Sequence, residues 1–104
     1  MKTGGTFAIL AALSDRHRLA VFQLLVKAGP GGMRAGKIAI VLDLAPNALS
    51  YHFTRLRAVG LIAVRRNAQT RVYVARFEPL TALLRFFEDL RPQRAARKHS
   101  MVRR

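Results

Sequence analysis

Arginines without neighbouring acids mark residues 44–77 of this chain. Six of them fall in this stretch, which has no aspartate or glutamate: Arg55, Arg57, Arg65, Arg66, Arg71 and Arg76. A guanidinium group pairs with phosphate oxygens through a planar fork of N–H donors. The whole chain of 104 residues also carries a formal net charge of +14. This arrangement favours binding to a polyanion, and duplex DNA is the polyanion we expect.

A helix pattern lies inside this stretch and begins at Pro46, since proline suits the first helical position. Leu49, Phe53 and Leu56 recur at helical spacing and predict a buried stripe, which Gly60 ends. On the opposite face, an asparagine can pair with adenine, and a threonine or tyrosine can contact the thymine methyl group. We therefore expect the helix to contact DNA through these residues: Asn47, Ala48, Ser50, Tyr51, Thr54, Arg55 and Arg57.

Two strand patterns follow at 61–66 and 70–76, with a turn at 67–69 between them. The hairpin is expected to contact phosphates, which fix position without reading sequence. Its predicted DNA contacts are Arg65, Arg66, Gln69 and Arg71. Three alternatives stay open at this point. In the first, Asn47 serves only as a helix-start residue. In the second, the outer face of the helix that begins at Pro46 is solvated and binds no DNA. In the third, some of the arginines pair with other groups within the molecule.

The remaining helices are predicted at 7–13, 16–28, 34–42 and 80–91. The order is therefore four helices, a hairpin and a fifth helix, with about three residues between the third and fourth helices. That spacing is typical of a helix-turn-helix, and a hairpin directly after the second of these helices makes it a winged helix. We predict a mainly α fold with a small β-hairpin.

The domain limits follow from these elements. Residues 1–6 are expected to form a flexible N-terminus, 7–91 the winged-helix domain and 92–104 a basic C-terminal tail. The second helix is apolar almost all round and should be buried, including Leu19. In the third helix, Ile38, Val41 and Leu42 are expected to face inward.

Five segments resemble ArsR/SmtB-type winged-helix repressors: 13–19, 47–53, 56–62, 65–66 and 72–73. The resemblance runs from about residue 8 to residue 88. It implies a homodimeric repressor that binds a pseudo-palindromic operator. It also implies pairing through the first and last helices, with the fourth helix in the major groove.

The sensing positions of that family are not matched. The thiolate pair on the third helix of many members would fall at Arg34 and Gly36. Adjacent cysteines of an arsenic-sensing subgroup would fall near Arg91 and Pro92. Glu88 and Asp89 have no histidine at helical spacing, so the zinc-sensing pattern is missing too. The resemblance therefore implies DNA binding and dimerisation, while the effector stays unknown and no metal or cofactor is expected.

Large apolar residues at helical spacing give the last helix more apolar surface than one small domain is expected to cover. We expect this stripe to pair with the first helix of a second copy. The predicted dimer interface comprises Phe7, Leu10, Leu13, Leu80, Leu83, Leu84 and Phe87.

Other classes of function find less support. The absence of cysteine excludes disulfides and thiolate metal sites. No serine or threonine has a base and an orienting group placed around it by the sequence, so we expect no enzyme. The apolar runs are too short to span a bilayer. His52 is expected to be packed and hydrogen-bonded rather than a metal ligand.

We therefore expect a cytoplasmic transcriptional regulator that binds specific DNA sites. The alternatives are a non-specific nucleic-acid binder driven by the basic tail, or a protein-interaction module whose winged helix no longer reads DNA.

Overall fold

The computed structural model describes residues 3–92 and has the predicted order of elements. The helices are α1 (Thr3–Leu13), α2 (Arg16–Ala28), α3 (Ala35–Leu42), α4 (Pro46–Ala58) and α5 (Glu78–Leu90), and the hairpin strands are β1 (Ile62–Asn67) and β2 (Thr70–Ala75). The predicted mainly α winged-helix fold is confirmed. Residues 1–2 and the basic tail beyond Pro92 lie outside the described residues.

Helix α1 begins at Thr3, four residues before the predicted start at residue 7. The prediction stopped short because Gly5 and its neighbour Gly4 each disfavour a helix by about 1 kcal/mol. Tertiary packing outweighs that cost, since Thr6 is buried and α1 packs against α2, α4 and α5.

Short-range signals set the ends of the other helices. The Asp15 carboxylate accepts hydrogen bonds from the backbone N–H of His17 at 2.8 Å and of Arg18 at 3.0 Å, which caps α2. Gly29 ends α2 with a φ of 72°. Asp43 adopts the left-handed conformation with a φ of 54° and turns the chain from α3 towards Pro46. These features bring α3 and α4 together as a helix-turn-helix.

The core lies between the helices and the hairpin, with the inner face of α4 at its centre. Leu49, Phe53 and Leu56 of α4 are buried, as predicted. The apolar residues buried with them are Ile9, Ala12, Val21, Phe22, Leu25, Ile38, Leu61, Ile62, Tyr73 and Leu83. Because this stripe is packed, the opposite face of α4 is fixed towards solvent.

Two predictions of inward-facing residues are wrong. Val41 is exposed because the inner face of α3 is centred on Ile38, Leu42 and two alanines, which leaves Val41 beyond its edge. Leu19 is exposed because α2 buries a stripe of Val21, Phe22 and Leu25, and Leu19 lies about a quarter turn away.

The hairpin is tighter than predicted. Its register pairs Ile62 with Ala75 and Asn67 with Thr70, so Asn67 belongs to β1 and the turn has two residues. Ala68 takes a positive φ of 60° in that turn. Met33 and Tyr73 exchange two backbone hydrogen bonds of 2.9 Å, which tie β2 to the segment before α3. The wing is therefore held against the helix-turn-helix.

An apolar surface runs along α1 and α5, which pack against each other. Phe7, Leu10, Leu84 and Phe87 of the predicted dimer interface are exposed there. Leu13 and Leu80 are half-buried against the core. One assignment needs correction: Leu83 is 5% exposed, because it packs into the core of its own protomer. Leu90, 58% exposed, extends the surface instead.

Gly32 is where the hairpin meets the segment before α3. Its φ of 69° and ψ of −165° lie in a region that is essentially reserved for glycine. A Cβ built there would come within 2.5 Å of the Tyr73 carbonyl oxygen and of Val72 Cγ1. A side chain at this position would therefore push β2 away from Met33.

We predict that Gly32→Ala lowers the free energy of unfolding by about 2 kcal/mol or more, since backbone strain and a steric clash add together. Urea denaturation followed by circular dichroism measures the change. Gly31→Ala is the matched control, because a Cβ there meets no atom within 4 Å. Equal stability of the two variants would contradict this account of the junction.

Candidate nucleic-acid interface

The outer face of α4 is uncovered over its whole length. Asn47, Ser50, Tyr51, Thr54, Arg55 and Arg57 are exposed, and Ala48 is half-buried beside them. Helix α4 is thus split between a packed inner face and a polar outer face, which a groove of DNA can accept.

Two side chains on this face also bond to the helix itself. The Asn47 Oδ1 accepts a hydrogen bond of 3.0 Å from the Ala48 N–H. The helix-start alternative therefore has some support, but the Asn47 amide nitrogen keeps its donors for a base edge. The Thr54 hydroxyl donates to the Ser50 carbonyl oxygen at 3.0 Å. Apolar contact through its methyl group then becomes the main chemistry that Thr54 offers.

Two guanidinium groups lie near the Tyr51 ring on this face. The Cζ atoms of Arg18 and Arg55 are each 5.9 Å from the centroid of the Tyr51 ring, within cation–π range. The His52 ring contacts the same tyrosine edge to face, with 5.6 Å between centroids. These contacts hold an exposed aromatic ring in place at the centre of the outer face.

Arg18 was not expected in this site. It is 7% exposed, and its Nε donates a hydrogen bond of 2.7 Å to the Ala12 carbonyl oxygen. A charged residue on an otherwise apolar helix face gave no periodicity signal that it would be buried. The spacing from Asp15, which caps the same helix turn, is the one feature of the sequence that could have suggested it.

His52 is packed, as expected, but the part of the chain that the structure describes offers its Nδ1 no hydrogen bond. The side chain is 7% exposed, and within residues 3–92 its Nδ1 has no hydrogen-bond partner. Burial lowers the pKa of His52 below its ordinary value of 6.5. Asp15 opposes this shift, while Arg18 and His17 add to it. The His17 ring lies close by, with its centroid 5.8 Å away.

The arginines of the interface differ in their partners. Arg65 donates to the carbonyl oxygens of Pro30 at 3.0 Å and Gly31 at 3.3 Å, so it braces the hairpin against the turn after α2. This is one of the intramolecular pairings left open by the sequence. Within residues 3–92 the ion pair is Arg91 with Glu88, at 3.1 Å. The charges of Arg55, Arg57, Arg66 and Arg71 are therefore not neutralised by carboxylates of the described chain.

Arg66 and Arg71 face each other across the hairpin. They are directly paired in the β1–β2 register, and both are exposed. Like charges in directly opposed positions destabilise a hairpin by a few tenths of a kcal/mol or more. A phosphate group bound between the two guanidiniums would remove that repulsion. Gln69 is exposed at the tip of the same wing.

Across the part of the chain that the structure describes, no group of three histidine, aspartate or glutamate side chains is placed to hold a metal ion. No helix between residues 3 and 92 is both long and apolar enough to cross a membrane.

A helix-turn-helix followed by a hairpin wing, with the polar outer face of α4 open to solvent, defines the class of winged helix-turn-helix proteins. Residues 13–65 match the model of a family described as a helix-turn-helix domain. The chain belongs to this helix-turn-helix family, and the resemblance to ArsR-type winged-helix regulators is confirmed.

Individual relatives support this assignment. The chain is 33% identical to the nodulation protein NolR of Rhizobium meliloti over 78% of this chain and 64% of that protein, so it spans less than two thirds of NolR. It is 34% identical to the HTH-type transcriptional regulator YgaV of Escherichia coli, over 74% of this chain and 76% of that protein.

A solved ArsR-like transcriptional regulator from Rhodococcus superposes with a TM-score of 0.78 and 23% identity. The match covers 94% of this chain and 90% of that one. At this identity the likeness supports the fold.

The burial of His52 gives a prediction about pH. Because its pKa is lowered on folding, the unfolded chain takes up a proton first as the pH drops. The stabilising effect of neutral His52 is complete above pH 6.5 and is lost as the pH falls through the lowered folded pKa. The pKa of Asp15 is lowered from 3.8 by its bond from the Arg18 N–H, so Asp15 titrates at more acidic pH.

We expect His52→Leu to flatten the fall in the free energy of unfolding below pH 6.5, as measured by urea denaturation at a series of pH values. His17→Gln is the control for the exposed neighbour and should keep most of the wild-type slope, because burial is the main cause of the lowered pKa of His52 and His17 adds only a smaller part. If the free energy of unfolding still falls with pH in His52→Leu but no longer does so in His17→Gln, the assignment of this pH dependence to His52 is refuted.

Proposed function

We propose that this chain is a homodimeric repressor that binds a pseudo-palindromic operator, with α4 in the major groove and the wing over the flanking backbone. DNA-binding regulation of transcription is the function of its family. The observation that carries the proposal is the uncovered outer face of α4 beside arginines that have no carboxylate partner within residues 3–92. We place this activity in the cytoplasm, where the operator would be accessible.

The interface divides into reading and anchoring residues. Asn47, Ser50 and Tyr51 lie on the outer face of α4 and offer groups that can meet base edges. Arg66 and Arg71 lie on the wing and offer guanidiniums to phosphate, which adds affinity for any sequence. Arg65 shares its donors with two carbonyl oxygens, so it contributes less to binding than Arg66.

We predict that Asn47→Ala or Tyr51→Ala lowers discrimination between operator and random DNA by roughly 1–3 kcal/mol. By contrast, Arg66→Ala should weaken binding to both DNAs alike and reduce the slope of log K against log salt by about one unit. Gel-shift titrations at several salt concentrations measure both effects, with the operator obtained by selection from a random pool.

Thr81→Ala is the matched control, since Thr81 is exposed on α5 and outside the proposed DNA interface. This variant should change neither the discrimination between operator and random DNA nor the slope of log K against log salt. Equal losses on selected and random DNA for both classes of variant would refute the division of roles.

Dimerisation is supported by the apolar surface on α1 and α5. Phe7, Leu10, Leu84, Phe87 and Leu90 are all exposed there. A monomer would leave this surface in water, whereas an isologous contact between two copies would bury it twice. Each copy would then present one α4, and two helices about 34 Å apart would reach successive major grooves.

We predict that Leu84→Glu shifts the protein from dimer to monomer, because it would bury a carboxylate in an apolar contact. Analytical ultracentrifugation should find a mass near the 11.6 kDa of one chain. Ile40→Glu is the control: Ile40 is 81% exposed on α3, away from α1 and α5, and this variant should stay dimeric. A monomeric wild type at micromolar concentration would overturn the dimer proposal.

The net charge of +14 favours a second candidate, a non-specific nucleic-acid binder. The same selection experiment separates the two. Enrichment of an inverted repeat supports the operator reader, whereas a pool that stays random supports the non-specific binder.

A further inference from the structure

A cavity of about 260 Å³ lies between α3, α4 and β2. The small residues Ala35, Gly36 and Ala39 of α3 form one side of it. Phe53 and Tyr73 also line it, and because both are buried they form its floor. The cavity is separate from the apolar surface on α1 and α5, and it shares Ser50 and Arg71 with the proposed DNA interface.

The cavity exists because α3 carries almost no side-chain bulk on this side. A Cβ added at Gly36 would meet no atom within 4 Å. The floor is rigid, since the rings of Phe53 and Tyr73 stack with 3.9 Å between centroids and 16° between planes. The space is therefore preformed, as small-molecule sites usually are.

The lining is mainly apolar, and it includes the hydroxyl residue Ser50 and one cation. Arg71 lines the cavity, is exposed, and has no carboxylate among the lining residues to neutralise it. An engineered apolar cavity of about 150 Å³ binds benzene. A cavity of about 260 Å³ therefore has room for an aromatic ring with a small polar substituent. Charge complementarity with Arg71 makes a carboxylate the fitting substituent.

We propose that this cavity binds a small aromatic carboxylate, with the ring against Phe53 and Tyr73 and the carboxylate on Arg71. Ser50 of the α4 outer face also lines the cavity, so a bound ligand touches the DNA-reading helix. Arg71 cannot serve ligand and phosphate equally at the same time. Binding of the ligand therefore lowers affinity for DNA, and DNA lowers affinity for the ligand by the same factor.

This coupling rests on the proposed DNA-binding function, whereas ligand binding itself does not. Benzoate is the probe, with benzyl alcohol as the neutral analogue of similar shape. Titration of the free ¹⁵N-labelled protein with benzoate should shift the amide signals of Gly36, Ala39, Ser50 and Arg71. Arg71→Gln should weaken benzoate binding about tenfold, the loss expected for one charge-assisted hydrogen bond, and should leave benzyl alcohol binding within about twofold.

Gly36→Leu tests the site by filling it, and Gly36→Ala is the matched control. The alanine adds one methyl group and suits a helix better than glycine. Gly36→Leu should abolish the benzoate shifts and keep wild-type DNA affinity in the absence of benzoate. Benzoate should then weaken DNA binding of the wild type and of Gly36→Ala, relative to the same concentration of sodium chloride, and leave Gly36→Leu unchanged.

Three results would overturn the proposal. One is the absence of benzoate shifts in the free wild-type protein. Another is an Arg71→Gln variant whose affinity for benzoate equals that of the wild type, as its affinity for benzyl alcohol does. The third is loss of DNA binding by a folded Gly36→Leu without benzoate, which would assign the cavity to the DNA backbone. If benzoate shifts the amide signals but selection from the DNA pool finds no sequence preference, the ligand site is supported and the operator proposal fails.

Discussion

The stack of Phe53 on Tyr73 joins α4 to the wing, and the geometry of the candidate interface depends on it. The two rings lie 3.9 Å apart and nearly parallel. Phe53 fixes the rotation of α4 about its axis, while Tyr73 is held by two backbone hydrogen bonds to Met33. Helix, hairpin and the segment before α3 thus form one rigid unit. The outer face of α4 and the arginines of the wing are therefore offered together to a ligand.

Two placements of charged residues in this unit lower the stability of the unbound chain. Arg66 and Arg71 oppose each other on the wing, and Arg18 is buried next to a histidine whose Nδ1 is unpaired within residues 3–92. Each arrangement costs free energy in the unbound chain. For the wing, a polyanion would relieve the cost. The burial of Arg18 places its guanidinium Cζ 5.9 Å from the centroid of the Tyr51 ring, on the outer face of α4.

Most of the features that the sequence predicted correctly have local causes. The apolar period of Leu49, Phe53 and Leu56, the proline at the start of α4 and the glycine after α2 predicted the elements and the exposed face. Contacts between distant segments could not be predicted in this way. Arg65 reaches carbonyl oxygens 34 and 35 residues away, and its side chain carries no sign of them in the sequence.

The same reason explains the other differences. The burial of Arg18 and Leu83 and the exposure of Val41 depend on which neighbours pack on each helix. Periodicity gives the relative angle between residues on a helix, but it does not say where a neighbouring element will lie. The cavity is harder still to predict from the sequence, since it is the space that α3, α4 and β2 leave unfilled.

Protection of guanine N7 from methylation, measured on a selected DNA site, tests the central claim most directly, because N7 lies in the major groove. Two α4 helices in successive major grooves predict two protected patches on one side of the duplex, about 10 base pairs apart. A single protected patch, or protection confined to the sugar–phosphate backbone with every N7 reactive, would contradict the account.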